Sequence, residues 1–396
     1  MKYIDEFRDG DVAQKIADRI RVEADSARNY SFMEFCGGHT HAISRYGVSE
    51  MLPGNVRMIH GPGCPVCVLP IGRIDHALTL ALERNVIVCT YGDTMRVPAS
   101  GGMSLIKAKA RGGDIRMVYS ATDALRIAQE NPEREVVFFA IGFETTTPPT
   151  ALVIRDAHAR GLDNFSVLCC HVLTPSAITH ILESPEVRDY GTLPIDGFIG
   201  PAHVSIVIGS EPYVHFAEEY RKPVVIAGFE PLDVMQAILM LIRQVNEGRC
   251  EVENEFARAV SAHGNLTAEA LVSEVFELRP TFEWRGLGEV PYSALRIRSN
   301  FARFDAERRY DLAYKPVRGR IAEALLFLNR FYKDGNNPNG VISITREDLA
   351  SFTGTVKETA IRMLNELKQE KLIETHRSEI EIKNVNGLVR VSQLYD

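Results

Sequence analysis

Between residues 56 and 227 the chain repeats one pattern: a short unbroken apolar run, a turn, and a stretch of helical spacing. The runs include Val86-Ile87-Val88-Cys89-Thr90-Tyr91, Ile115-Arg116-Met117-Val118-Tyr119, Val136-Val137-Phe138-Phe139-Ala140-Ile141, Ser166-Val167-Leu168-Cys169-Cys170-His171, Gly197-Phe198-Ile199-Gly200 and Pro223-Val224-Val225-Ile226-Ala227. A strand that is apolar at consecutive positions has both faces buried, and strand alternating with helix implies parallel sheets covered on both sides. The predicted fold class is therefore α/β, with two doubly wound parallel-sheet domains around a cleft. In such sheets functional groups collect beyond the carboxyl ends of strands. Cys36, Cys64, Asp93, Glu144, His171 and His203 each fall just past an expected strand end, so they are predicted to face one cleft.

A chain of 396 residues is long enough for several domains. The expected division is 1–125, an α/β domain carrying the cysteine motifs; 126–250, a second α/β domain; 251–317, packing back on the first; and 318–396. Composition changes after Lys315-Pro316-Val317: beyond it come amphipathic helices, a turn at Thr353-Gly354, and the alternating tail Leu372-Ile373-Glu374 and Ile380-Glu381-Ile382. Helix, turn, helix and hairpin is the order of a winged helix. Thr345 and Thr355 are each expected to cap a helix. The net charge of −7 argues against whole-protein affinity for nucleic acid or anionic membrane. The charged opening Met1-Lys2-Tyr3-Ile4-Asp5 is unlike a secretion signal, and no apolar stretch is long enough to span a bilayer. A cytoplasmic location is expected. Seven cysteines, an odd number with two adjacent, do not form a secreted disulfide framework.

The chemistry concentrates in Cys36-Gly37-Gly38-His39-Thr40-His41 and Gly61-Pro62-Gly63-Cys64-Pro65-Val66-Cys67. Thiolate is a soft ligand and a strong nucleophile, and flanking glycines permit tight turns and close backbone approach. Cys64 and Cys67 can act as a dithiol that closes to a disulfide with loss of two electrons, or as half a metal site completed by Cys36 and a histidine. His39 and His41 are two apart and would point the same way in an extended segment. Glu144, among three threonines, polarises a bound group or closes a turn. Neither a Gly-x-Gly-x-x-Gly fingerprint nor a Walker-type Gly-Lys-Ser occurs, so no nucleotide is expected.

These stretches, together with Thr90-Tyr91-Gly92-Asp93, Ile141-Gly142-Phe143-Glu144-Thr145-Thr146-Thr147-Pro148 and Gly197-Phe198-Ile199-Gly200-Pro201-Ala202-His203-Val204-Ser205, resemble the signatures of the HypD family of nickel–iron hydrogenase maturation, over about residues 1–317. The resemblance implies a scaffold on which iron bearing two cyanides and one carbon monoxide, Fe(CN)2CO, is assembled with a HypC-type chaperone. It implies that Cys36 is the iron ligand, shared with a chaperone cysteine, with His39 beside it. It further implies that Cys64 and Cys67 are a redox pair and that a HypE-type protein donates cyanide. Asp93, Glu144 and His203 come with the same motifs as site residues. The family also carries a [4Fe–4S] cluster on a later module, and such a cluster needs about four thiolates. Here no cysteine follows Cys250. The last stretch instead resembles the winged-helix domain of Crp/Fnr regulators, with Lys357, Glu358 and Arg362 at base- or phosphate-facing positions; a lone copy would bind DNA weakly. The alternative function is accordingly a redox- or metal-responsive DNA-binding regulator.

Overall fold

The computed structural model describes residues 5–191, 193–310, 317–334 and 341–392, with side chains omitted for 331–334. Lys315 and Pro316, the expected junction, lie outside the described residues. Among the described residues the α/β part has nine strands: β1 (Tyr30–Glu34), β2 (Val56–His60), β3 (Ile87–Thr90), β4 (Ile115–Met117), β5 (Val136–Gly142), β6 (Phe165–His171), β7 (Gly197–Gly200), β8 (Val224–Ile226) and β9 (Val252–Asn254). Every residue of β1, β3, β5, β6, β7 and β8 is buried, as continuous apolar runs require.

The strands form two sheets, in the orders β2-β1-β7-β8-β9 and β4-β3-β5-β6. The first is parallel throughout. In the second, β3 runs parallel to both β4 and β5. The chain therefore starts one sheet, leaves to build the other, and returns for β7. Hydrophobic periodicity identifies strands but not their neighbours, so this order is read only from the pairing. The fourth strand pair of the first sheet is made by Val252–Asn254.

Two compact units result: the described residues of Met1–Pro65, Gly142–Pro148 and Val172–Glu274, and those of Val66–Ile141, Pro149–His171 and Val275–Asp396. The described residues from Val275 onward fall in the same unit as the second sheet. Asp305 bridges Val167 at the end of that sheet, and Phe276, Phe282, Trp284 and Phe304 are buried. A Glu307 carboxylate holding the buried Arg73 and Arg279 at 2.6 Å each completes this packing.

In the first unit the apolar helix Pro231–Glu247 packs against Gly10–Glu23, burying Ala13, Ala17 and Ile20 with Val234, Ile238 and Leu241. The C-terminal part has the expected winged-helix order: helices Val317–Asp334, Arg346–Thr353 and Lys357–Gln369 around a core of Ile321, Leu349, Ala360, Leu364 and Ile380, with antiparallel strands Ile373–His376 and Glu379–Ile382. Gly354 makes the turn in the left-handed region, φ 66°. Thr345 caps its helix through the Asp348 N–H, but the expected cap from Thr355 is not formed: Val356 occupies that N-cap and offers no side-chain acceptor. Among the described residues no helix is long and apolar enough to cross a membrane.

Candidate functional site

The order of the first sheet reverses between β1 and β7, the place where open parallel sheets bind ligands. Cys36 follows β1, and Pro201-Ala202-His203 follows β7. Cys36 is the N-cap of the helix Gly37–Arg45; its backbone is extended, and its carbonyl accepts from the N–H groups of His39 at 2.9 Å and Thr40 at 3.2 Å. The glycine pair is thus the first turn of a helix, not a loop. Helical spacing also separates the two histidines: His39 is fully buried and His41 exposed, so they do not point the same way.

The glycines of Gly61-Pro62-Gly63 have a direct cause. The Gly61 N–H donates to the Glu34 carbonyl at 2.8 Å and the Gly37 N–H to the Gly63 carbonyl at 3.2 Å. A Cβ on Gly63 would lie 2.6 Å from the Gly37 nitrogen and 2.9 Å from the Cys36 Cα. Two backbones cross in contact there, and only glycine fits. The loop then enters the short helix Pro65–Val68, with Cys64 and Cys67 joined as a disulfide. The loops carrying Cys36 and Cys64 do converge. Because Cys64 and Cys67 are bonded to each other, the alternative of a site with three thiolate ligands is not formed, and among the described residues no group of three or more His, Cys, Asp or Glu is placed to hold a metal. Cys36 is a free thiol, and burial pushes its pKa up to about 11.

His39 donates from Nε2 to the carbonyls of Ala227 at 3.0 Å and Gly228 at 3.1 Å, which leaves Nδ1 as an acceptor with no partner. Burial holds the ring below the usual histidine pKa, so it is neutral. Phe229 lies between the two imidazoles, 5.0 Å from His39 and 4.3 Å from the more exposed His203. Glu144 is buried; its carboxylate accepts from the Thr174 N–H at 2.7 Å and hydroxyl at 3.0 Å, capping the helix Thr174–Leu182, whose own N-cap Leu173 has no acceptor. Burial raises its pKa to about 7. These groups share the first unit. Asp93 and His171 belong to the second: Asp93 is exposed and accepts from the Thr94 N–H at 2.9 Å, while His171 is buried with Nε2 2.9 Å from the Thr150 hydroxyl.

Lys357 and Glu358 stand exposed on the first turn of their helix. Arg362 differs: one guanidinium nitrogen donates to the Leu287 carbonyl, beside Gly288 in the hairpin formed by Thr281–Trp284 and Gly288–Pro291.

Sequence reasoning passed over Glu34 and Phe229. Glu34 had a signal, since a charged residue inside an otherwise apolar strand must find partners. Phe229 had none, because an aromatic residue past a strand end is unremarkable without the histidines around it.

This is a parallel α/β protein with a free thiol at a sheet's switch point, its backbone touching a loop that carries a Cys-x-x-Cys disulfide. The chain belongs to the HypD family of hydrogenase maturation factors. Residues 11–323 match the family described as HypD, hydrogenase formation hypA, and residues 319–391 match the Crp-like helix-turn-helix domain. The chain is 81% identical over 317 residues to the hydrogenase maturation factor HypD of Cupriavidus necator, covering 80% of this chain and 84% of that protein. The HypD of Rhizobium leguminosarum bv. viciae is 69% identical over 312 residues (79% and 81%), and that of Escherichia coli 45% over 334 (82% and 88%). Among solved structures, a CRP/FNR-family transcriptional regulator from Thermus thermophilus is 20% identical, covering 27% of this chain and 66% of its own, with a TM-score of 0.19.

A [4Fe–4S] cluster does not fit the described residues. Cys89, Cys169 and Cys170 are buried in strands β3 and β6, and Cys250 is the last cysteine of the chain.

Proposed function

We propose that this protein is a cytoplasmic scaffold for assembling the Fe(CN)2CO moiety of nickel–iron hydrogenase, with iron as its cargo. The observation that carries the reading is Cys36: a free thiol at the switch-point end of β1, its backbone against Gly63 and one residue from the disulfide loop. Cys36 would hold the iron, and the remaining protein ligand would come from a HypC-type chaperone, which accords with the single available thiol in this loop. His39 is neutral with an open Nδ1 acceptor, suited to orient a group beside Cys36. Low-spin iron with strong-field diatomic ligands favours a soft thiolate. Opening the Cys64–Cys67 disulfide takes up two electrons and two protons, and its closure returns them, so the pair can serve ligand installation supplied by a HypE-type cyanide donor. Glu144 and His203 complete the proposed set of site residues in the first unit, and Asp93 is proposed separately in the second.

Coproduction with the chaperone, followed by iron analysis and infrared spectroscopy of the cyanide and carbonyl stretches, tests this. Cys36→Ala should abolish iron and bands together, whereas Cys67→Ser should retain chaperone binding and lose ligand installation. Equal iron and band intensity in Cys36→Ala would sink the reading.

A second reading, weak DNA binding by the C-terminal domain, has one supporting observation: Lys357 and Glu358 are exposed at the start of the helix. The engagement of Arg362 on Leu287 weighs against a full recognition face.

A further inference from the structure

The free thiol of Cys36 stands on a backbone that touches Gly63, the residue before Cys64, and this sets a problem of pairing. If the dithiol cycles between open and closed, Cys64 has two thiols nearby when it re-forms its bond. Pairing with Cys36 instead of Cys67 would consume the residue proposed to bind iron. The contact between Gly63 and the Cys36 backbone makes this hazard real, because Cys64 follows Gly63 directly.

Glu34 stands between the two segments. It ends β1 with no exposed surface, and both its carboxylate oxygens are hydrogen-bonded. One oxygen accepts from the Cys36 N–H at 2.8 Å. The other accepts from the Thr40 hydroxyl, on the first turn of the following helix, and from His60 Nδ1 at 2.8 Å. His60 is the residue opposite Glu34 in the parallel register, and the Glu34 carbonyl takes the Gly61 N–H. One side chain and its own peptide therefore tie the cysteine, its helix, the end of the next strand and the start of the disulfide loop. A buried carboxylate costs several kcal/mol unless its lone pairs are used, and here three donors converge on it. An apolar residue would fill the strand position without that cost, so the carboxylate is there for the donors it gathers from the Cys36 turn, the following helix and the end of β2.

We propose that Glu34 is a positioning residue that sets the direction of Cys36 relative to the Cys64 loop, so that Cys64 and Cys67 exchange oxidation state without capturing Cys36. The proposal deepens the scaffold reading above and rests on it only for the importance of a free Cys36.

The test needs no iron. The full-length protein is reduced with a dithiol reagent, freed of it, and reoxidised with glutathione disulfide. Each protein disulfide formed loses two electrons and two protons from two cysteines, and one glutathione disulfide becomes two glutathiones. Peptide mass spectrometry then gives the ratio of the Cys36–Cys64 to the Cys64–Cys67 bond. In Glu34→Gln the amide presents a donor where a donor already stands, so one side of the clamp is lost. The mispaired fraction should rise about tenfold over wild type, the scale of one charge-assisted hydrogen bond. Thr40→Val and His60→Ala remove single donors and should each give a smaller rise, which keeps the test alive if Glu34→Gln fails to fold. As a control, Ser31→Ala, in the same strand, should leave the ratio unchanged; a rise there equal to that in Thr40→Val or His60→Ala would indicate general loosening and overturn the proposal. Folded Glu34→Gln with the wild-type ratio would also overturn it. If Cys36→Ala retains iron while Glu34→Gln mispairs, the iron assignment fails and the positioning role stands.

Discussion

Glu144 offers the sharpest quantitative test of the site's electrostatics. Its carboxyl is fully buried and meets two donors from Thr174, yet desolvation outweighs them and raises its pKa from 4.5 to about 7. The folded state therefore holds a proton that the unfolded chain has released. Stability from this group is complete below the unfolded pKa of 4.5 and is lost as pH rises through about 7. At 1.36 kcal/mol per unit, the loss is about 3 kcal/mol. Glu144→Gln keeps the shape, can accept the Thr174 N–H and donate to its hydroxyl, and cannot ionise. Urea unfolding of both proteins, followed by circular dichroism from about pH 4.5 to roughly pH 8, isolates the difference, since every other titrating group is shared. The variant should gain about 3 kcal/mol on wild type across that window, and the gain should level off at its alkaline end, above the folded pKa of about 7. Parallel curves throughout would show that Glu144 is already ionised, refuting the claim that burial dominates its donors.

The other predictions concern backbone crossings and the C-terminal helix. Gly63→Ala places a methyl 2.6 Å from the Gly37 nitrogen and should cost about 1–3 kcal/mol in thermal unfolding while lowering iron retained with the chaperone; unchanged values in both would contradict the crossing. Gly38→Ala meets the Phe229 ring at 2.5 Å, and should shift the His203 resonances by NMR as that ring moves; an unaltered spectrum would argue that Phe229 has room to spare. In fluorescence anisotropy with duplex DNA at low salt, Lys357→Ala should weaken any binding and reduce its salt dependence, whereas Arg362→Ala should have little effect because Leu287 already holds that guanidinium. Equal losses in both variants would show that Arg362 leaves the hairpin to meet DNA.

The residues alone determined the strands, their parallel character and the chemical vocabulary of the site. Continuous apolar runs such as Val136-Val137-Phe138-Phe139-Ala140-Ile141 admit only a strand buried on both faces, and glycines beside cysteines signal close approach. The winged helix was equally legible, from local turn chemistry at Thr345 and Gly354. What depends on contacts between distant positions was decided by tertiary structure. The pairing of β1 with β7 carried Cys36 to the switch point and divided the motif residues between two units, because sheet neighbours are chosen by packing that periodicity does not encode. A helix in place of an extended segment after Cys36 sent His39 inward and His41 outward. The Glu34 clamp needed both: a strand register that sets His60 opposite it, and a helix start that brings Cys36 and Thr40 within reach of one carboxylate.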